Sequence, residues 1–425
     1  MLILCLIGIM LVPLAAAGLA LIHQGLGRSR SAAHAMLATL CAFAVAAIVF
    51  VLFGSSLAGF AGGLAHTFHA GGAQWNWLGA EPFLARGAHF DTGDGRGLLP
   101  LCLEMFASGL AVMIPISAGS DRWRLGPVAA VSAVLAGITF PLMVHWTWAG
   151  GWLSQLSLNF GLSPLLDSGG AGVIQVVGGL TALSVAWVVG PRKGKYSEDG
   201  MAAAIPGHNI VLVLFGCLLA LVGWIGLEAA SSVLFYTATA GQVIAIILNA
   251  TLTASAGCLA AMVTTRVRYR KPDASLSANG WIAGLVAGSA SGGLVTPLSA
   301  VLIGLVAGVL VALLIEVFEL HLMVDDPGGA VSVHAGAGLW GLLAVALFGH
   351  QLVGDRTGHL LAQLVGIATL LGCLLPLIHG LNLLLNRLTP FRVDRDGDWQ
   401  GMDIRELGAG AYPEFVVHAD EFVPR

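Results

Sequence analysis

Gln175 and His334 are polar side chains set in the middle of apolar runs, and each closes one copy of a repeated phrase. The first copy reads Asp167-Ser-Gly-Gly-Ala-Gly-Val-Ile-Gln175 and the second Asp326-Pro-Gly-Gly-Ala-Val-Ser-Val-His334. The match resumes at Gly179-Leu180 and Gly338-Leu339, with the offset unchanged at 159 residues. The residue types set the available chemistry. An imidazole takes up and releases a proton near neutral pH, whereas a primary amide only donates and accepts hydrogen bonds. Together they could line a path for a small polar molecule, or simply tie two elements together. An intramembrane enzyme is not indicated, because the sequence has no nucleophile–base pair, HExxH run or aspartate dyad. Asp167-Ser168-Gly169-Gly170 matches part of the serine-protease run GDSGG, but Leu166 precedes it and no His–Asp partner pattern accompanies it.

The elements that carry this pair are membrane helices. Of 425 residues, 57% are hydrophobic and only 10% charged, with a mean hydropathy of +0.87; a soluble domain carries about 25% charged residues. The net charge of −4 comes with no basic face for nucleic acid. The six cysteines fall in apolar runs without CxxC spacing, which indicates neither disulfides nor a metal site. No cofactor is implied. At about 20 residues per crossing, the apolar runs predict eleven spans near 2–25, 33–59, 97–118, 125–149, 170–190, 208–228, 240–265, 279–291, 297–318, 331–350 and 358–386. The fold class is thus an all-α integral membrane protein, and runs of this length without alternation argue against a barrel. The first span lacks a basic n-region and is too long for an h-region, so it reads as a retained helix.

Basic residues orient the spans. Arg28 and Arg30 follow the first span, Arg122 and Arg124 the third, Arg192, Lys193 and Lys195 the fifth, and Arg266, Arg268, Arg270 and Lys271 the seventh. The opposite connections hold only Arg86, Arg96 and Arg356, although the connection after span nine has no Lys or Arg. The odd-numbered connections are therefore expected in the cytoplasm, with the N-terminus outside and the tail, 387–425, inside the cell membrane.

The phrase opens spans five and ten, so each copy holds five helices and the second must enter the membrane inverted. Repeat one is about 1–190, repeat two about 206–350, and a final helix about 358–386 completes a transmembrane domain of 1–386. Such repeats place a site at the midplane. Gln175 lies eight residues beyond Asp167, roughly 12 Å at about 1.5 Å per residue, and His334 is equally deep from the other side. In a core of about 30 Å the two converge.

The second phrase, from Asp325-Asp326-Pro through His334-Ala-Gly-Ala-Gly-Leu-Trp-Gly341, resembles the span-ten signature of the ammonium transporters, a family that includes methylammonium permeases and Rhesus proteins. Gly18-Leu-Ala-Leu-Ile-His-Gln-Gly-Leu26 is similar to the end of that family's first helix, His145-Trp-Thr-Trp148 to its fourth, Pro206-Gly-His208-Asn209 with Gly223-Trp224-Ile-Gly226 to its sixth, and Gly401-Met-Asp403-Ile to its tail. The resemblance implies a homotrimer with one pore per protomer. Ammonium would be recruited in an outer vestibule and deprotonated, and ammonia would pass two facing histidines. It makes Trp148 and Ser231 vestibule residues, Asp167 a structural carboxylate beside them, and Trp224 a pore residue. His334 takes the second histidine position and Gln175 the first. Family members can also dock a PII-type regulatory protein on the cytoplasmic face.

The departures concern proton handling and the gate. Gln175 cannot titrate, so a wire through two imidazoles is broken there. The family's two stacked gate phenylalanines correspond to Leu227 and to either Phe106, with a one-residue slip, or Ala107 in ungapped register, which also puts Glu104 at a usual glutamine. Glu104 and Glu228 would make the vestibule more negative unless they pair elsewhere. Transport of ammonium or ammonia is the expected function. A non-conducting ammonium sensor acting through a separate signalling partner is the alternative.

Overall fold

The structure, a computed structural model, describes residues 1–86, 98–350, 352 and 355–412. Arg96 and the tail from Pro413 to Arg425 lie outside the described residues. Among the described residues, ten helices are long and apolar enough to cross a bilayer: α1 Leu2–Leu26, α2 Ser29–Ala58, α3 Leu99–Ala118, α4 Leu125–Thr147, α5 Ala171–Val189, α6 Ile210–Tyr236, α7 Ala240–Tyr269, α9 Pro297–His321, α10 Val331–Phe348 and α11 Arg356–Leu388. The eleventh expected span is α8, Ala274–Ser289, with 16 residues. It starts five residues before the expected position because Ser275 and Ser277, which read as loop, lie inside the helix, with Ser277 buried against protein. Asp273 caps it, accepting from the Leu276 N–H at 2.8 Å. A helix this short covers about 24 Å, which suffices because the bundle rather than lipid surrounds it.

The ends of the bundle follow the parity expected of eleven crossings. At one end, Arg28, Asp121, Arg122, Arg192 and Asp325, from the connections after α1, α3, α5 and α9, form a single ionic cluster. The tail meets them there: the Asp403 carboxylate accepts from the Ala33 and His34 N–H groups at the start of α2, and Glu406 from the Leu125 N–H at the start of α4. At the other end, the connection after α2 forms a hairpin, β1 Ala65–Ala70 and β2 Ala73–Gly79, turned by Gly71-Gly72. The hairpin is an addition to the all-α expectation. It is bound to the connection after α4 by Asn76, whose amide donates to the Gly150 carbonyl and whose carbonyl accepts from Trp152. Since α5 begins at the hairpin end and α10 at the ionic end, the two repeat helices run antiparallel, as the inverted repeat requires.

Candidate functional site

The repeated phrase folds into the same structure twice. Asp167 accepts from the N–H groups of Gly172 and Val173 at 2.8 and 2.9 Å, and Asp326 accepts from Val331 at 2.7 Å. These bonds satisfy amides that a helix start leaves without partners. Gly170 and Gly329 hold φ of +84° and +69°, a region that a side chain strongly disfavours. Each is followed by a π-helical turn, Ala171–Val176 and Val331–Gly336. Ile174 N–H donates to the Gly170 carbonyl and Val333 N–H to that of Gly329, both at 2.9 Å. Such turns recur at functional sites because they re-aim side chains without ending the helix.

What they aim is the polar pair. His334 Nδ1 lies 2.7 Å from Gln175 Oε1, and both side chains are buried. An amide oxygen only accepts, so Nδ1 carries the proton and Nε2 of the neutral ring keeps its lone pair. Gln175 Nε2 is buried with no protein partner among the described residues. The midplane thus offers one donor and one acceptor. The helices meet closely here: a Cβ at Gly179 would stand 2.3 Å from the Ala335 backbone nitrogen.

Above the pair, Trp148 donates its indole N–H to the Asp167 carbonyl at 2.8 Å, and the Asp167 N–H donates to the Tyr236 hydroxyl at 3.1 Å. One indole face stacks on Phe235, with centroids 4.6 Å apart and planes 13° apart. Ser231, one turn before Phe235, is buried and donates to the Leu227 carbonyl at 2.9 Å. Asp167 thus joins the start of α5 to Trp148 and Tyr236, and Trp148, through Phe235, lies along the face of α6 that carries Ser231. Tyr236 and Phe235 were not foreseen; an aromatic pair one turn beyond Ser231 was the available signal.

Two expected pore residues have other placements. Phe106 is corrected: it packs on Phe43 of α2, centroids 6.2 Å apart, on the same face of α3 as Gly109. Ala107, fully buried, lies instead on the face of Ala111 and Ile114, which meet Gly178 of α5. The helical phase thus turns Ala107, and not Phe106, toward α5. Trp224 is a buried strut, its indole N–H donating to Ser289 Oγ of α8 at 2.8 Å. That oxygen is 2.8 Å from Glu228 Oε1, so Glu228 pairs within the bundle. Leu227 is buried on α6.

Below the pair, a cavity of about 490 Å³ reaches Ser332, Gly329, Asp326 and Asn279 from the ionic end. The ionic cluster flanks it. Arg192 grips Asp325 through Nε and Nη2, both at 2.9 Å, while Arg122 donates to the carbonyls of Gly190 and Asp325 at 2.7 Å. The end of α5 is thereby tied to the start of α10. Burial alone would raise the Asp325 carboxyl, but the Arg122 guanidinium and the Arg192 hydrogen bonds hold it down at about 2. Its contribution is complete above the unfolded value and fades only as pH falls through about 2. Asp325→Ala removes the only carboxylate paired with buried Arg122 among the described residues and leaves buried Arg192 with Asp121 alone, at 3.3 Å, and is expected to cost about 3–5 kcal/mol. Thermal unfolding of the detergent-solubilised variant checks this, and a midpoint unchanged at neutral pH would contradict it.

Comparison with known proteins places this geometry. A profile of the Ammonium Transporter Family matches residues 3–412. The sequence is 32% identical over 418 residues to ammonium transporter Amt2 of Archaeoglobus fulgidus, covering 94% of this chain and 85% of that one. A solved structure titled Sensor Amt Protein is similar with a TM-score of 0.86 at 26% identity, covering 95% of this chain and 97% of that one. Candida albicans Mep2 shares the fold, with a TM-score of 0.76 at 21% identity over 93% of this chain and 86% of that one.

Proposed function

The chain belongs to the ammonium transporter family, and on that premise we propose that ammonium is recruited beside Trp148 and Ser231 and crosses the midplane as ammonia. The protomer, with repeats of about 1–190 and 206–350 and a final helix near 358–386, holds its own pore within a homotrimer. The hairpin end and the N-terminus face outward. The ionic end and the tail face the cytoplasm of the cell membrane, and a PII-type protein would dock there.

An indole beside a cation contributes roughly 0.5–2 kcal/mol, enough to concentrate a weak substrate. Deeper in, a charge costs from about 2.5 to over 10 kcal/mol, and desolvation favours the neutral amine. Ala107 and Leu227 offer the ion no compensation, and His334 Nε2 is the imidazole lone pair that can take its proton. Ammonia then suits the midplane in both senses. Its lone pair accepts from Gln175 Nε2, and its N–H groups donate to His334 Nε2. The observation that carries this reading is the single bond between Gln175 and His334, which leaves one donor and one acceptor unspent.

An ammonium concentration jump on liposomes, with transmembrane current and internal pH recorded together, tests it. Nitrogen entry is expected in the parent protein, and Gln175→His should remain active. A silent parent beside an active variant would mean that position 175 has closed the pore. Silence in both, with ammonium still bound, would establish the second reading, a sensor that signals through a separate partner. The likeness to the Sensor Amt Protein and the direct Gln175–His334 contact favour keeping that reading in the test.

A further inference from the structure

A third polar side chain belongs to this line. Gly18 and Gly25 of α1 both face α6: a Cβ at either would meet backbone oxygens, of Gly216 at 2.5 Å and of Asn209 at 2.6 Å. His23 precedes Gly25 by two residues, a rotation of about 200° at 3.6 residues per turn. It therefore points away from α6, into the bundle. The ring is 4% exposed, its Nδ1 has no protein partner among the described residues, and it lies within electrostatic reach of His334. Leu26, one turn further along α1, lines the cytoplasmic cavity. The adjacent Gln24 turns elsewhere, its amide 3.3 Å from His208 Nε2. His23 thus lies within electrostatic reach of His334 and one turn of α1 from a residue that lines the cavity.

Buried imidazoles are normally hydrogen-bonded on both nitrogens, and one left unpartnered calls for an explanation. Here the chemistry supplies it. His334 Nδ1 is committed to Gln175, so a proton accepted from ammonium at Nε2 has to leave from Nε2, and Gln175 has no basic site to receive it. We propose that His23 is the second proton-handling imidazole of this pore, displaced from position 175 to the cytoplasmic side of His334. The step balances without an added reactant. An N–H bond of ammonium breaks as one forms at His334 Nε2; that proton passes to the lone pair of His23, directly or through water, and His334 returns to neutral. His23 then releases it to water in the cavity, while ammonia follows the same line.

This inference rests on the transport reading, and its test separates the two. Wild-type protein, His23→Gln and the double variant Gln175→His/His23→Gln are compared in the ammonium jump. In His23→Gln, current per nitrogen moved is expected to fall at least about tenfold, with entry persisting as uncoupled ammonia that makes the interior alkaline. The double variant, which restores a second imidazole, is expected to recover the current. A ratio of current to nitrogen that is unchanged in His23→Gln would overturn the proposal. So would a double variant that stays uncoupled while Gln175→His alone carries current. If wild type moves no nitrogen, the transport reading is what fails, and spectra of isotope-labelled histidine decide the relay. Shared protons require the His334 Nε2 resonance to shift when His23 is replaced, and a resonance that stays in place rules the relay out.

Discussion

Gly179→Ala is expected to lower transport by two orders of magnitude, and Gly126→Ala to leave it intact. At Gly179 the added carbon would lie 2.3 Å from the backbone nitrogen of Ala335 and 2.9 Å from its Cα. Backbone cannot rotate aside, so α10 must move off α5. His334 is the preceding residue and moves with it, lengthening its 2.7 Å contact with Gln175. Overpacking of this kind costs about 1–3 kcal/mol, and a displacement of about 1 Å at a working site can cost roughly a hundredfold in rate. Gly338, the equivalent position, should be milder but not neutral, since a Cβ there would meet a Val176 methyl at 2.7 Å and a backbone atom, the Ala171 oxygen, only at 2.9 Å rather than 2.3 Å. Gly126 has nothing within 4 Å, and alanine there gains up to about 1 kcal/mol of helix propensity. Uptake into liposomes and thermal midpoints in detergent measure all three. Equal activity of the Gly179 and Gly126 variants would show that the repeats are not held this tightly.

Asp167→Ala should be the most destabilising single change at the hairpin end. It strands the Gly172 and Val173 N–H groups in a fully buried setting. A hydrogen bond to a charged group contributes about 1.5–3 kcal/mol, so the loss amounts to several kcal/mol. Asp167→Asn keeps an acceptor oxygen and should lose markedly less. The loss extends upward, because the Asp167 backbone joins Trp148 to Tyr236. The start of α5 and the anchoring of Trp148 and Tyr236 therefore fail together in Asp167→Ala, seen as lost ammonium uptake and a lowered thermal midpoint. Alanine and asparagine variants of equal stability would contradict the capping account.

How much of this was legible depended on whether a signal was local. The phrase at Asp167 and Asp326 carried its own evidence, because a fixed offset and an odd number of spans dictate inversion and convergence. The ten longer spans were legible from apolar length alone. Span eight reads short because Ser275 and Ser277 look solvated in sequence, whereas both lie inside the helix and Ser277 is buried. The gate was ambiguous for a related reason: Phe106 and Ala107 differ by one position, and only packing on Phe43 and on α5 fixes which faces inward. The hairpin has a readable signal, a Gly-Gly pair between aromatic-rich flanks, which apolar length alone does not register. His23 had none. Its meaning comes from α10, far along the chain, and a lone histidine at the end of an apolar run does not declare a partner.

The contact of Asp403 with the start of α2 also sets a schedule. His34 and Asp403 are 369 residues apart, and ribosomes add about 5–20 residues per second, so the carboxylate arrives roughly 20–70 s after the amides it serves. During that interval α2 has water in place of its final acceptor, and α4 likewise awaits Glu406. Completion of the earliest helices thus waits for a segment made 369 residues later. The docked segment closes the first and second halves of the chain onto each other at the ionic end.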